Sequence, residues 1–189
     1  MKQGGIYILS GPSGCGKNTV YEGLRALDPD IVQTVSATTR KPRLGERNGV
    51  DYFFLTVPEF KQRIDDGEFV EYVTYGGNCY GTLKSEVRRL TDLGKTVVLV
   101  IEVRGALNIK RMFPQAVAIF IEPPSMEELI RRINKRGDNN DAEIELRMNI
   151  AKEEMTFRDK YDYRVVNDDL DTCIKDIYQI MQKESDQHD

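Results

Sequence analysis
The sequence predicts an α/β fold, a parallel sheet covered by helices on both faces, with a smaller lobe inserted into it. Three observations predict this. Short, β-rich apolar runs recur along the chain, and amphipathic helical stripes separate them. One long stretch, from about 36 to 91, breaks that rhythm with short strand-like runs set among glycines and charges. Alternating strands and helices imply a parallel sheet, because each crossover helix must bury its apolar stripe against the sheet it spans.

The elements follow in order. Ile6 to Leu9 is an apolar run ending at a Gly-rich turn, the pattern of a buried strand. Lys17 to Leu27 places Val20, Leu24 and Leu27 on one helical face. Within the inserted lobe, Tyr52-Phe53-Phe54-Leu55 and Phe69-Val70-Glu71-Tyr72-Val73 read as strands of a small sheet, and Thr56-Val57-Pro58-Glu59 as a capping box. Val97 to Ile101 is five β-branched or Leu residues, a strand buried on both sides. Ala116 to Ile121 is a third such run. Ser125-Met126-Glu127-Glu128, after Pro123-Pro124, opens a helix. Arg131 to Arg147 is dense in Arg, Asp and Asn around Gly137 and suits a mobile flap. Ile144, Met148, Ala151 and Met155 form a helical stripe, Tyr163 to Val166 a weaker fourth strand, and Ile174, Ile177, Tyr178 and Met181 another stripe. Glu184 to Asp189 is polar and expected to fray.

Composition excludes several classes. The chain has 189 residues, 40% hydrophobic and 31% charged, with a net charge of −4. No global basic field marks a nucleic-acid binder, so any anion site must be built locally. Cys15, Cys79 and Cys173 are three in number and lack metal-ligand spacing, which reads as reduced thiols of an intracellular protein. The first residues carry too short an apolar run for a signal peptide, and no stretch approaches the ~20 apolar residues of a membrane span. A cytoplasmic location is expected.

Gly11-Pro12-Ser13-Gly14-Cys15-Gly16-Lys17 matches G-x-x-x-x-G-K between a predicted strand and a predicted helix. Glycines let the backbone turn its N–H groups onto an anion, the helix N-terminus adds partial positive charge, and Lys17 reaches the β and γ phosphates. The next residue is usually Ser or Thr, whose hydroxyl helps hold Mg²⁺; here Asn18 stands there and Thr19 follows. The bland alternative is a Gly-rich turn without a ligand.

Ser36-Ala37-Thr38-Thr39-Arg40-Lys41-Pro42-Arg43 sets two guanidiniums close together on a segment stiffened by proline. Arginine gives planar, bidentate recognition of phosphate; a solvated basic loop is the alternative. Gly76-Gly77-Asn78-Cys79-Tyr80-Gly81-Thr82 reads as a Gly-rich turn carrying Tyr80 and a hydroxyl, with Glu71 upstream in an apolar run. A carboxylate is costly to bury unless paired, and the adjacent N1–H and N2–H donors of guanine would pair it well. Glu71 facing outward on an edge strand is the alternative.

With these motifs on the page, the sequence resembles guanylate kinases along nearly its whole length. The likeness rests on the GPSGCGK loop, SATTRKPR, GERNGVDYFF, Glu71 in EFVEY, GNCYGT and VVNDDLD, in that order. It implies a three-layer α/β/α P-loop kinase core (about 1–35, 92–124 and 156–189), an inserted small mixed α+β GMP-binding lobe (about 36–91) and a helical lid (about 125–155). It implies phosphorylation of GMP, and of dGMP, by ATP with Mg²⁺. Gly11 to Thr19 would bind ATP, Arg40, Arg43, Tyr52 and Tyr80 would hold the GMP phosphate, and Ser36, Glu71 and Thr82 would read guanine. Arg132, Arg136 and Arg147 would meet the transferred phosphoryl from the lid, and Asn167 would lie near adenine. Similar kinases carry an acid two residues before Glu102, where this chain has Val100. Glu102 alone would then serve Mg²⁺, through water and with Thr19, or the guanine. Two other readings stand beside this one: a guanylate-kinase-like binding module, kept open by Asn18 and Val100, and a kinase for another phosphorylated acceptor. No nucleic-acid or membrane partner is expected, and the sequence leaves the oligomeric state open.

Overall fold
The computed structural model describes residues 4–134 and 141–187. In chain order the elements are β1 (Ile6–Ser10), α1 (Lys17–Leu27), β2 (Ile31–Val32), β3 (Ala37–Thr38), β4 (Phe53–Phe54), α2 (Val57–Asp65), β5 (Phe69–Tyr75), β6 (Asn78–Leu83) and α3 (Lys84–Asp92). They continue with β7 (Thr96–Val100), α4 (Val103–Met112), β8 (Val117–Glu122), α5 (Met126–Asn134), α6 (Asp141–Met155), a 3₁₀ turn at Arg158–Lys160, β9 (Tyr163–Val166) and α7 (Leu170–Gln187). The chain divides into two compact units. One comprises Met1–Gly5 and Val32–Val97, the other Ile6–Ile31 and Val98–Asp189.

The larger unit is organised by a five-stranded sheet of order β2-β7-β1-β8-β9. β1 and β8 run parallel, Tyr7 opposite Val117 and Ser10 opposite Phe120. β8 and β9 are also parallel, with Ile119 opposite Tyr163. Val117 through Ile121 are all buried, as a strand covered on both faces requires. Alternation sorts them. Ile119 and Ile121 join Leu9, Val20, Leu24 and Ile177 in one core under α1 and α7. Ala118 and Phe120 point the other way, toward the side that carries α4. This closes β1 and β8 between helices and leaves the β1–α1 loop at the carboxyl ends of the strands, where such sheets bind ligands.

The smaller unit holds a four-stranded sheet of order β4-β3-β6-β5. Phe60 of α2 stacks on Phe69 at 4.4 Å between ring centroids, and Ala37 and Leu83 complete that core. The Thr56–Glu59 capping box forms as its sequence predicts.

Two expectations are corrected. The segment from Gly76 to Thr82 is a turn only at Gly76-Gly77, whose φ values of 57° and 77° make the tight connection of a hairpin. From Asn78 onward it is β6. Its apolar alternation is hidden because Gly81 and Thr82 carry little hydropathic signal. Where it is described, the polar stretch 131–147 is helical: Arg131 to Asn134 finish α5, and Asp141 to Arg147 begin α6. Arg and Glu are good helix formers, so charge density alone does not break a helix. Arg136 and Gly137 lie outside the described residues. The tail does not fray at Glu184, because α7 runs to Gln187. Tyr7 donates to Met181 O at 2.9 Å, and the Tyr163 hydroxyl donates to the Glu184 carboxylate.

Candidate active site
Gly11 to Gly16 joins β1 to α1. Gly11, Gly14 and Gly16 have φ of 146°, 90° and 97°, a region that side chains resist. Space forbids them as well. A Cβ on Gly11 would stand 2.3 Å from Ile121 O, and one on Gly16 would stand 2.5 Å from Asn167 Nδ2. α1 begins at Lys17 without a side-chain cap, so its first-turn N–H groups remain available to an anion. Lys17 Nζ donates to Gly11 O at 2.6 Å and Pro12 O at 3.2 Å, which lays the ammonium along the loop.

Asn167 braces this loop from β9. Its side chain is buried, its Nδ2 donates to Cys15 O at 2.8 Å, and its backbone N–H donates to Glu122 O at 2.8 Å. Its carbonyl accepts from Arg132 Nη1 at 3.0 Å. Arg132 also donates through Nε to Glu128 at 2.7 Å. The hydrogen bonds from Arg131 and Arg132 hold the Glu128 carboxyl down at about 2. Arg132 is therefore oriented from two sides beside the segment that steadies the loop. Arg147 is half-buried on α6. Cys15 is fully buried, and burial raises its thiol against the opposing influence of Lys17. Burial also pushes Cys173 to about 12. Both stay protonated near neutral pH and are inert as nucleophiles.

The loop opens onto a cavity of about 210 Å³ lined by Ser13, Gly14, Gly16, Lys17, Asn18, Thr19, Glu102 and Glu154. Asn18 and Thr19 both reach it. Glu102 precedes α4 without capping it, so its carboxylate is not spent on the helix. Burial raises the Glu154 carboxyl and the Glu102 charge adds to this, while Lys17 and the Ser13 N–H oppose it. Among the described residues no group of three or more His, Cys, Asp or Glu could hold a metal. A magnesium ion carried by phosphates needs no such cage. It takes hard oxygen ligands, one or two from protein, and keeps several waters. The oxygens of Thr19 and Glu102 fit that demand.

The smaller unit assembles a second constellation on one face of its sheet. Side chains alternate, so Thr38, Tyr80 and Thr82 share the face opposite the Phe60 core. Thr82 sits opposite Glu71 in the β5–β6 register and donates to Glu71 Oε1 at 2.9 Å. Glu71 stands on the edge strand β5, half-buried, with its carboxylate hydrogen-bonded by Thr82. Arg40 lies 5.3 Å above the Tyr52 ring, and Tyr52 meets Tyr80 edge-on at 6.3 Å. Ser36 precedes β3, and its carbonyl accepts from Phe53 N–H at 2.9 Å. The Arg43 side chain is exposed, and its N–H donates to Glu46 at 2.6 Å.

Sequence reasoning missed Glu46 and Glu154. Glu46 takes the Arg40 fork at 2.8 and 3.0 Å, which holds its carboxyl below the usual range with help from the Arg43 N–H. Opposite charge near Arg40 was the available signal, but only the turn brings the two together. Glu154 reads in sequence as one more solvated helical Glu.

A glycine-shaped anion loop at a strand-to-helix junction of a parallel sheet, with its lysine and adjacent carboxylate, defines a P-loop phosphotransferase. The comparisons narrow the class. The family model for guanylate kinase matches residues 3–184. A guanylate kinase of Clostridium perfringens is 46% identical over 95% of this chain and 83% of its own length. One of Halalkalibacterium halodurans is 45% identical over 97% and 90%. The crystal structure of guanylate kinase from Anaplasma phagocytophilum superposes with a TM-score of 0.68 at 35% identity, covering 97% of this chain and 87% of that one. The chain belongs to the guanylate kinase family, whose members are nucleoside monophosphate kinases, ATP:GMP phosphotransferases. Among the described residues no helix is long and apolar enough to cross a membrane.

Proposed function
We propose that this chain, in the cytoplasm, transfers the γ-phosphoryl of ATP to GMP, and to dGMP, with the Gly11–Thr19 loop as donor site and the sheet face around Glu71 as acceptor site. The hydrogen bond between Glu71 and Thr82 carries the acceptor reading. It fixes a carboxylate next to Thr82 on the sheet face that carries Tyr80, which meets Tyr52 and through it Arg40, so that a purine edge and a phosphate would have separate, chemically matched partners. Glu71 would accept from guanine N1–H and N2–H, with Ser36 and Thr82 completing the edge, and adenine would leave that carboxylate unpaired. Arg40, held ready by Glu46, and Arg43 would take the phosphate, with the Tyr52 and Tyr80 hydroxyls beside them.

The acceptor phosphate is already an anionic nucleophile, so no strong base is required. Catalysis then consists of positioning and charge stabilisation. Loop amides and Lys17 would hold the β and γ phosphates, and Arg132, with Arg136 and Arg147, would meet the charge on the moving phosphoryl. Bound with ATP, Mg²⁺ supplies further neutralisation of the phosphates, and Thr19 and Glu102 are the residues to hold it, Glu102 through water. Asn167 would serve near the adenine chiefly by fixing the loop backbone. The smaller unit would act as the GMP lobe and α5–α6 as the lid, and their closure would exclude water as a competing acceptor. Steady-state kinetics with MgATP against GMP, dGMP, AMP and UMP test the reading. Turnover confined to the guanine nucleotides is expected. Equal use of AMP would overturn the acceptor assignment.

A further inference from the structure
Glu154 stands in the last turn of α6 and lines the phosphate-loop cavity opposite Asn18 and Thr19. Its helix is anchored by Ala151, which packs with Leu129 and Ile133 of α5. The carboxylate is therefore held in place and does not wave in solvent. The nearby Ser13 backbone N–H favours its charged form, yet Glu154 Oε2 is buried and has no hydrogen-bond partner. Lys17 Nζ donates to Gly11 O and Pro12 O, not to Glu154. A buried carboxylate oxygen left bare is costly, and such an atom calls for a missing water or ion. Glu102 enters the same cavity and repels it. Two carboxylates facing one small space are stabilised by a cation or by a shell of donated protons.

We propose that Glu154 joins Glu102 in accepting hydrogen bonds from the waters around the Mg²⁺ that ATP brings to this loop. The inference rests on the reading of Gly11–Thr19 as the ATP site. It gives this chain two carboxylates for the hydrated ion, one from the end of β7 and one from α6.

Isothermal titration calorimetry of the full chain with ATP, once in excess Mg²⁺ and once in EDTA, separates the possibilities. In wild type, Mg²⁺ is expected to tighten ATP binding. In Glu154→Gln the Mg²⁺ arm should weaken by about 10-fold, the lower end of the effect of removing a group that orients metal ligands. The EDTA arm should be unchanged or tighter, because a negative charge near the triphosphate is gone. Glu154→Asp, which keeps the charge on a shorter arm, should fall between. Equal weakening in both arms would make Glu154 a structural residue of the loop cavity alone and overturn the proposal, as would no change in either. Wild type that binds ATP no better with Mg²⁺ would overturn this inference but leave the donor-site reading standing. Wild type that fails to bind ATP in either arm would overturn both.

Discussion
The phosphate loop and the sheet face around Glu71, the two sites proposed to hold phosphates, are made of different material. The loop is built from backbone. Its shape comes from three glycines at positive φ, and each contact that fixes it, from Asn167, Lys17 or Ile121, meets a main-chain atom or the space a side chain would need. The sheet face is built from side chains. Arg40, Tyr52, Glu71, Tyr80 and Thr82 come from four separate segments and meet only because β3, β4, β5 and β6 pair in one register. A backbone site has a fixed spacing in sequence. A side-chain site has a fixed spacing only in space.

The largest expected effect lies in the loop. Lys17→Ala should lower kcat by about 10²–10³-fold, the cost of deleting one donor aimed at transition-state charge. Its melting temperature should stay near that of wild type, because Lys17 is partly exposed and anchors no core. Near-normal kcat would remove Lys17 from the mechanism.

Next comes a test of the side-chain site. Glu71→Gln keeps the shape but replaces one acceptor oxygen with a donor. It should raise KM for GMP by roughly 30-fold or more, the range for removing a buried charge partner, and leave KM for ATP nearly unchanged. Discrimination between GMP and AMP should fall with it. Unaltered discrimination would refute the guanine reading.

Glycine sharpens the contrast. Gly81→Ala would press a Cβ to 2.8 Å from both Glu71 O and the Phe69 ring, inside the packed core of the smaller unit. Overpacking of this kind costs about 1–3 kcal/mol, so a lower melting temperature is expected alongside weaker GMP binding. Gly16→Ala meets Asn167 Nδ2 at 2.5 Å and a φ of 97°. It should weaken ATP binding and lower the melting temperature as well, because the φ strain and the clash with buried Asn167 add. The two variants should differ in which nucleotide they lose: equal loss of ATP and GMP binding in both would erase the distinction drawn between them.

The same contrast explains what the sequence made legible. β1, α1, β7 and β8 follow from apolar runs because a strand buried on both faces has no polar positions to blur it. The loop follows from its glycines and lysine at set intervals. The Glu71–Thr82 pair was visible only as two separate polar residues, since nothing in the sequence states that β5 bulges near Val70 and pairs residue 71 with 82. β6 reads as a turn in sequence because glycines mark its start and Gly81 lies within it; Gly81 is there for close approach, not for turning. Glu46 and Glu154 carry no local signal at all, as their partners are fixed by a turn in one case and by the packing of α6 in the other.

The smallest effect concerns acid. Glu46 is held below the ordinary carboxylate range first by the Arg40 hydrogen bonds and then by the Arg43 N–H. A carboxyl with a depressed folded-state pKa contributes stability in full above its unfolded value, about 4.3. That contribution is lost as pH falls through the lower folded value. Glu46→Gln removes the contribution at every pH. The melting-temperature gap between wild type and Glu46→Gln should therefore be constant from about pH 5 to neutrality. It should narrow toward zero in more acidic solution, where wild type also loses the charge. Because the pair is only partly buried the gap will be small, and salt should shrink it further. Arg40 freed from Glu46 should also hold the acceptor phosphate less well, so KM for GMP should rise with the same variant while KM for ATP does not. A gap that widens in acid would mean that Glu46 is not the anionic partner of Arg40, and the side-chain site would lose the contact that orients its arginine.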